Sequence, residues 1–377
     1  MKIIVMMMIM TDRNQGKFYN MQDLGLCKAL AAAGHNVSLY NFVHGDTDEE
    51  IYVNDNLTLH YLHGKSVGVH TFHKFDFITE DVDAVVCYSD NQMNYRKVVN
   101  ICKKNNILLL PYVGVIGSHN RSAWKTALLN FLIPNERIYK NQMVLAKTPE
   151  VKRQMLEKNI KNVIVAPACL DTDQLNKDYY KAGKKDLREQ MGFKENHKII
   201  LFIGRMIEEK WPLEMLEIFL TLYKKDSQYR LIMIGKGDLL QDVKMKVHAQ
   251  GFEDKVKIIE QIDNSQMWQY YRISDAMINL NRVEIFGMAI LEAMYYECLV
   301  IARRAPGPEY ILTDSVNGFL CDSTEEILKT IELMMNDVEQ ANRVKREAHL
   351  RIVKDFMWES TAAIVLKTIQ EGKHWKK

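Results

Sequence analysis

Short apolar runs that do not alternate with polar residues recur along this chain, separated by stretches of helical periodicity, and that pattern demands parallel sheets covered on both faces. In the first half the runs are Lys2–Met10, Asn36–Phe42, Leu57–His63, Asp83–Ser89, Ile107–Gly114, Met143–Thr148 and Asn162–Pro167. In the second half they are Lys198–Gly204, Arg230–Gly235, Val256–Gln261, Ala276–Asn281, Leu299–Arg304 and Gly318–Asp322. Between them Phe18–Ala33, Pro212–Lys224, Leu239–Gln250, Gly287–Tyr296 and Glu325–Asn336 read as helices, the first closed by Gly34.

A chain of 377 residues exceeds the ~250–300 at which one hydrophobic core stops growing, so two domains are expected. The predicted fold class is α/β, with two Rossmann-like, doubly wound domains facing across a cleft. The first domain is expected over 1–170. The second covers 171–357, and a last helix over 358–377 packs back on the first. The polar stretch Asp171–His197 has no strand pattern and reads as the join. In open α/β sheets ligands bind at the carboxyl ends of the strands, so function belongs to the loops there.

Charge excludes some partners. With 50 Lys and Arg against 48 Asp and Glu, no global field favours nucleic acid. The six cysteines, at 27, 87, 102, 169, 298 and 321, form no C-x-x-C pair, which fits reduced thiols in a cytoplasmic protein. The apolar run Ile3–Met10 reads as a buried strand rather than a signal core, because Thr11–Gly16 follows without a small-residue cleavage site.

Four loops could carry chemistry. Strand Lys198–Gly204 ends in Gly204-Arg205, and Lys210 follows directly before Trp211-Pro212. Proline favours the first helical position, so two cations meet open backbone N–H groups and suit a diphosphate; solvated surface charges are the alternative. Gly235-Lys236-Gly237 allows close backbone approach, though no G-x-x-x-x-G-K-[ST] or complete G-x-G-x-x-G occurs. In Glu284-Ile-Phe-Gly-Met-Ala-Ile-Leu-Glu292 a helical reading separates the carboxylates by roughly 80° and roughly 12 Å. They could grip two ends of an elongated ligand, or they could be two surface glutamates. The turn Arg303–Glu309 is a candidate phosphate cradle or a simple tight turn.

In order, Gly204-Arg205…Lys210, Gly235-Lys236-Gly237, Glu284…Glu292, Gly307 and Asn317-Gly318 resemble the retaining glycosyltransferases of family 4, which have the GT-B fold. The likeness covers the second domain, and it implies that this domain binds the donor and the first domain the acceptor. The first matches more loosely through Gly16, Gly34-His35, Thr148-Pro149-Glu150 and Val165-Ala166-Pro167. It implies a hexosyltransferase that moves sugar from a nucleoside-diphosphate sugar, a UDP-sugar ahead of a GDP-sugar, in bacterial-type glycan, glycolipid or polysaccharide assembly. Arg205 and Lys210 would hold the diphosphate, Glu284 the sugar and Glu292 the ribose. Backbone groups of Phe286, Gly287, Met288 and Gly307 would serve sugar and phosphate oxygens, and groups near Ile262 the base. Gly16 would face the phosphates, and His119 is the nearest match to a histidine beside the reacting sugar. No metal and no other cofactor is expected, and the D-x-D triplets at Asp46, Asp81 and Asp171 are discounted. The chain departs from the family at Leu280-Asn281, Cys298, Cys169-Leu170-Asp171 and Gly307-Pro308. A nucleotide-sugar epimerase, a glycosyl phosphorylase and a non-catalytic sugar-binding protein are the competing readings.

The acceptor would be a glycan, a lipid-linked molecule or a protein. Residues 120–161 hold nine cations against three carboxylates, and Arg121–Ile133 lines up Trp124, Ala127, Leu128, Phe131 and Leu132. Such a basic amphipathic helix would rest on the inner membrane face, or pack on the sheet with its lysines in water.

Overall fold

The computed structural model describes residues 1–11, 21–44, 47–67, 70–88, 91–116, 133 and 135–375. Gly16, His119 and the helix expected over Arg121–Ile133 lie outside the described residues. The chain divides into two units, one of 21–169 with 1–11 and the helix Trp358–Trp375, the other of Leu170–Met357.

The first unit is built on β1 (Lys2–Thr11), β2 (Asn36–Val43), β3 (Glu49–Asn54), β4 (Leu57–His63), β5 (Lys65–Val67), β6 (His70–Phe72), β7 (Ala84–Tyr88), β8 (Leu108–Val113), β9 (Val144–Ala146) and β10 (Val163–Val165). Its main path runs β10-β9-β8-β7-β1-β2-β4-β3, parallel except for the antiparallel β3–β4 pair. Every residue of β7 and β8 is buried, as their continuous apolar sequences require. Three strands are absent from the sequence reading. β3 is almost entirely exposed, and β5 and β6 have three residues each, so none carries a burial signal. The helix Trp358–Trp375 is anchored where Thr361 Oγ1 donates to the Pro167 carbonyl at 2.8 Å. A Cβ on Gly25 would stand 2.1 Å from the Trp358 Nε1, so only glycine admits that indole.

The second unit holds β11 (Lys198–Ile203), β12 (Tyr229–Ile234), β13 (Val256–Ile259), β14 (Ala276–Asn279), β15 (Leu299–Arg303) and β16 (Phe319–Cys321). All are parallel, in the order β13-β12-β11-β14-β15-β16. Numbered within the unit this is 3-2-1-4-5-6, the doubly wound order, whose direction reverses between β11 and β14. Its core packs Ile200, Phe202, Leu231, Met233 and Ile278 against Phe219 and Leu216 of the helix Pro212–Lys225.

The polar stretch 171–197 belongs to the second unit. It folds into the second unit as a turn at Tyr179–Lys181 and a helix, Lys184–Gln190. There the Arg188 guanidinium donates to the carbonyls of Ile273, Glu195 and His197 and to Asp275, so a run that reads as solvated charge carries a buried tie. Among the described residues no helix is long and apolar enough to cross a membrane.

Candidate active site

The loops following β11, β12, β14 and β15 all leave the carboxyl end of the second sheet, and β11 and β14 flank its topological switch. Two are stitched together by their backbones. Met206 N–H donates to the Lys236 carbonyl at 2.7 Å and Leu239 N–H to the Met206 carbonyl at 2.8 Å. The approach requires glycine: a Cβ on Gly235 would lie 1.9 Å from the Gly204 carbonyl oxygen, and one on Gly237 2.3 Å from that of Met206. Gly235 and Gly237 therefore hold the Arg205 loop in place, and Arg205 itself is exposed at its tip.

Lys210 closes a short 3-10 turn, Glu208–Lys210, ahead of the helix. Trp211, in the left-handed conformation (φ 57°, ψ 46°), then turns the chain into Pro212–Lys225. The Arg282 guanidinium lies 4.5 Å from the Trp211 ring centre, which covers this strained residue. From that turn the Lys210 Nζ reaches the Glu284 Oε2 at 2.5 Å. Both side chains are largely buried, at 22% and 16% exposed.

The structure corrects the expected helical spacing of Glu284 and Glu292. Only Glu292 is helical, because Gly287 takes a left-handed conformation (φ 109°, ψ 66°) and the helix begins after it, as Met288–Tyr295. Glu284 sits in the preceding loop. Asn281 Nδ2 donates to its carboxylate at 3.1 Å, and Gly307 N–H donates to its carbonyl at 2.7 Å. Gly307 must be glycine, since a Cβ there would fall 2.2 Å from the Phe286 oxygen. Phe286 is buried, and no side chain caps the helix start at Gly287 and Met288.

Glu292 receives the Tyr271 hydroxyl at 2.6 Å, and burial pushes its carboxyl up to about 7. Ile262 is half-buried in the loop after β13, next to Gln261, whose side chain accepts from Lys236 Nζ at 2.7 Å. The sequence reading missed Tyr271, which lies 21 positions before Glu292 and has no local signal. It also counted Asn281 only as a departure. The signal was there, because Asn is suited to bond a backbone N–H two residues on, and Val283 N–H donates to the Asn281 Oδ1 at 3.1 Å.

Behind this site Glu214 accepts from Arg303 Nη2 at 2.5 Å and from Thr324 Oγ1 at 2.5 Å, and Arg282 lies 3.7 Å away. The first unit has its own polar cluster at a strand end. Following β9, the Lys147 Nζ donates to Gln22 Oε1 at 2.8 Å and lies 5.5 Å from the Tyr112 ring centre. Burial lowers Lys147 to about 8, and burial raises the carboxyl of Asp23 nearby. Among the described residues no group of His, Cys, Asp or Glu forms a metal-ligand cluster.

This architecture is the GT-B fold, two Rossmann-like units each with loops at the carboxyl ends of a parallel sheet. Residues 183–351 match the family model described as Glycosyl transferases group 1, which fills most of the second unit. Alpha-monoglucosyldiacylglycerol synthase of Acholeplasma laidlawii is 20% identical over 57% of this chain and 55% of its own length. A Campylobacter jejuni alpha-1,4-N-acetyl-D-galactosaminyltransferase, named for a diNAcBac-PP-undecaprenol glycan, is 27% identical over 48% of this chain and 50% of its own length. The chain thus spans about half the length of these curated relatives. Among solved structures, Anabaena HepE in complex with UDP superimposes with a TM-score of 0.71 at 15% identity, covering 98% of this chain and 100% of that one. That likeness shows the fold.

Proposed function

We propose that this protein is a retaining glycosyltransferase of family 4 that moves a sugar from a nucleoside-diphosphate sugar, a UDP-sugar ahead of a GDP-sugar, to a glycan or lipid-linked acceptor. The observation that carries the reading is the Lys210–Glu284 pair, held by Asn281 and by Gly307 at the switch of a doubly wound sheet. The Glycosyl transferases group 1 match over the same residues supports it, as does UDP in a structure of the same fold.

Donor binding would insert the diphosphate beside Lys210 and Arg205, whose charges stabilise the negative charge that grows on the leaving nucleoside diphosphate. Two cations in fixed loops can take the part a divalent metal plays elsewhere. Glu284, already bonded to Lys210 and Asn281, would hold a sugar hydroxyl, and Glu292 the ribose hydroxyls. As the bond between the anomeric carbon and the diphosphate oxygen breaks and its electron pair leaves with that oxygen, the acceptor oxygen bonds to the same carbon from the same face and its proton passes to the departing phosphate. Both relatives are named for alpha products, and from a donor with an axial phosphate that outcome is retention. Their names also include a lipid and an undecaprenol-linked glycan, which supports a lipid-linked acceptor and work in the cytoplasm at the inner membrane face.

A panel of UDP-, GDP- and ADP-sugars, followed for nucleoside diphosphate release with and without acceptors and with and without a chelator, tests the reading. Release that requires an acceptor and survives the chelator supports it. No release from any donor, together with undiminished donor binding by Lys210→Ala, overturns it.

A further inference from the structure

The opposite edge of the second sheet, at the amino ends of β11, β14 and β15, carries a second cationic site. Two cavities of about 300 Å³ and 260 Å³ adjoin there and share Lys184, Asn342 and Lys345 as walls. The strands that separate this edge from the glycine-rich loops are up to six residues long, a distance of roughly 20 Å.

Charge in these cavities is unbalanced. Six Lys and Arg side chains and His197 line them against three carboxylates, and each carboxylate is already engaged. Asp275 accepts from Lys184 at 2.8 Å, from Arg188 at 2.7 Å and from the Ile199 N–H at 2.8 Å. Glu195 pairs with Lys185 at 2.9 Å and Glu297 with Arg272 at 3.4 Å. Lys345 and Arg346, both on the helix Val338–Asp355, have no ion-pair partner among the described residues. Lys345 is half-buried and stands close enough to Lys184 to oppose its charge. Two neighbouring ammonium groups in a partly desolvated cavity repel one another, and an anion between them relieves that repulsion.

The free valences suit a phosphoryl group. All five N–H groups of Arg188 are used by protein acceptors, which makes it a scaffold. Lys184 uses two of its three, on the Ser274 carbonyl at 3.0 Å and on Asp275, leaving one. Lys345, Arg346 and the Asn342 amide add further donors from one helix, enough for several oxygens of a dianion.

We infer that this edge binds the phosphoryl group of a small phosphorylated metabolite, at a site separate from the donor loops. Isothermal titration of the full chain with inorganic phosphate and with a hexose phosphate tests it, using Lys345→Ala, Arg346→Ala and, as the donor-site control, Lys210→Ala. Arg346 is exposed, so circular dichroism should show an unchanged fold for Arg346→Ala, and Lys345→Ala, at a half-buried position, gives an independent second variant. The expected result is that Lys345→Ala and Arg346→Ala each lose about tenfold in affinity while Lys210→Ala binds as the unmodified protein does. Tighter binding of the hexose phosphate than of inorganic phosphate would show that the rest of the metabolite is also held. Equal affinity in all three variants, or a loss confined to Lys210→Ala, overturns the inference.

Discussion

Lys210 and Glu284 meet at 2.5 Å although 74 positions separate them, one projecting from the loop after β11 and the other from the loop after β14. The pair spans the point where the order of the sheet reverses, so the residue proposed to steady the leaving phosphate and the residue proposed to hold the sugar position each other.

Lys210→Ala is expected to lower the transfer rate by about 10²–10³, the effect of removing one preorganised charge from a developing anion. Glu284→Gln should lose less on its own. Because the two side chains touch, their effects should not add, and a double-mutant cycle should give a coupling of about 0.5–3 kcal/mol. Independent effects in the rate measurements would mean the contact has no part in positioning.

Gly307→Ala places a methyl group 2.2 Å from the Phe286 oxygen and must displace the loop that carries Glu284. Overpacking of this kind costs about 1–3 kcal/mol. Both a lower melting temperature and weaker donor binding should follow. Gly192→Ala is the control: its φ of 84° is also unfavourable to alanine, but open space surrounds it, so stability alone should fall.

Glu292 makes stability depend on pH in a stated direction. Burial raises its carboxyl from 4.5 to about 7, so the folded state favours the protonated form. That contribution is complete below about 4.5 and is lost as the pH rises through 7. Glu292→Gln keeps an acceptor for the Tyr271 hydroxyl and carries no charge at any pH. Its melting temperature should exceed that of the unmodified protein at pH 8 and approach it at pH 4.5, whereas a constant difference across that range would place the cause elsewhere.

Replacing Arg121, Lys125, Arg137 and Lys140 by glutamate should abolish sedimentation with anionic vesicles and leave neutral vesicles unaffected. Unchanged sedimentation would remove the basic stretch 120–161 from any membrane role.

The strands of the second sheet were legible because strands covered on both faces leave continuous apolar runs; β11 and β13 through β16 each lie within a run read from sequence, and β12 begins one residue before its run. β3 was not, since an exposed edge strand needs no apolar side chains. The two glutamates were legible as a motif, but their relative geometry was not. A helix was the natural reading of Glu284–Met294, and the left-handed turn at Gly287 removes Glu284 from it.

Local order of residues by itself determined the α/β class, the glycine-rich loops and the set of polar residues those loops carry, because periodicity and turn chemistry act over a few neighbours. Tertiary structure alone decided which of these residues meet. The bond of Tyr271 to Glu292, the closure of Gly307 on Phe286 and the confinement of Lys184 beside Lys345 join segments far apart in sequence. Desolvation and hydrogen bonding at those meetings set the charge states, and neither exists until the sheets have formed.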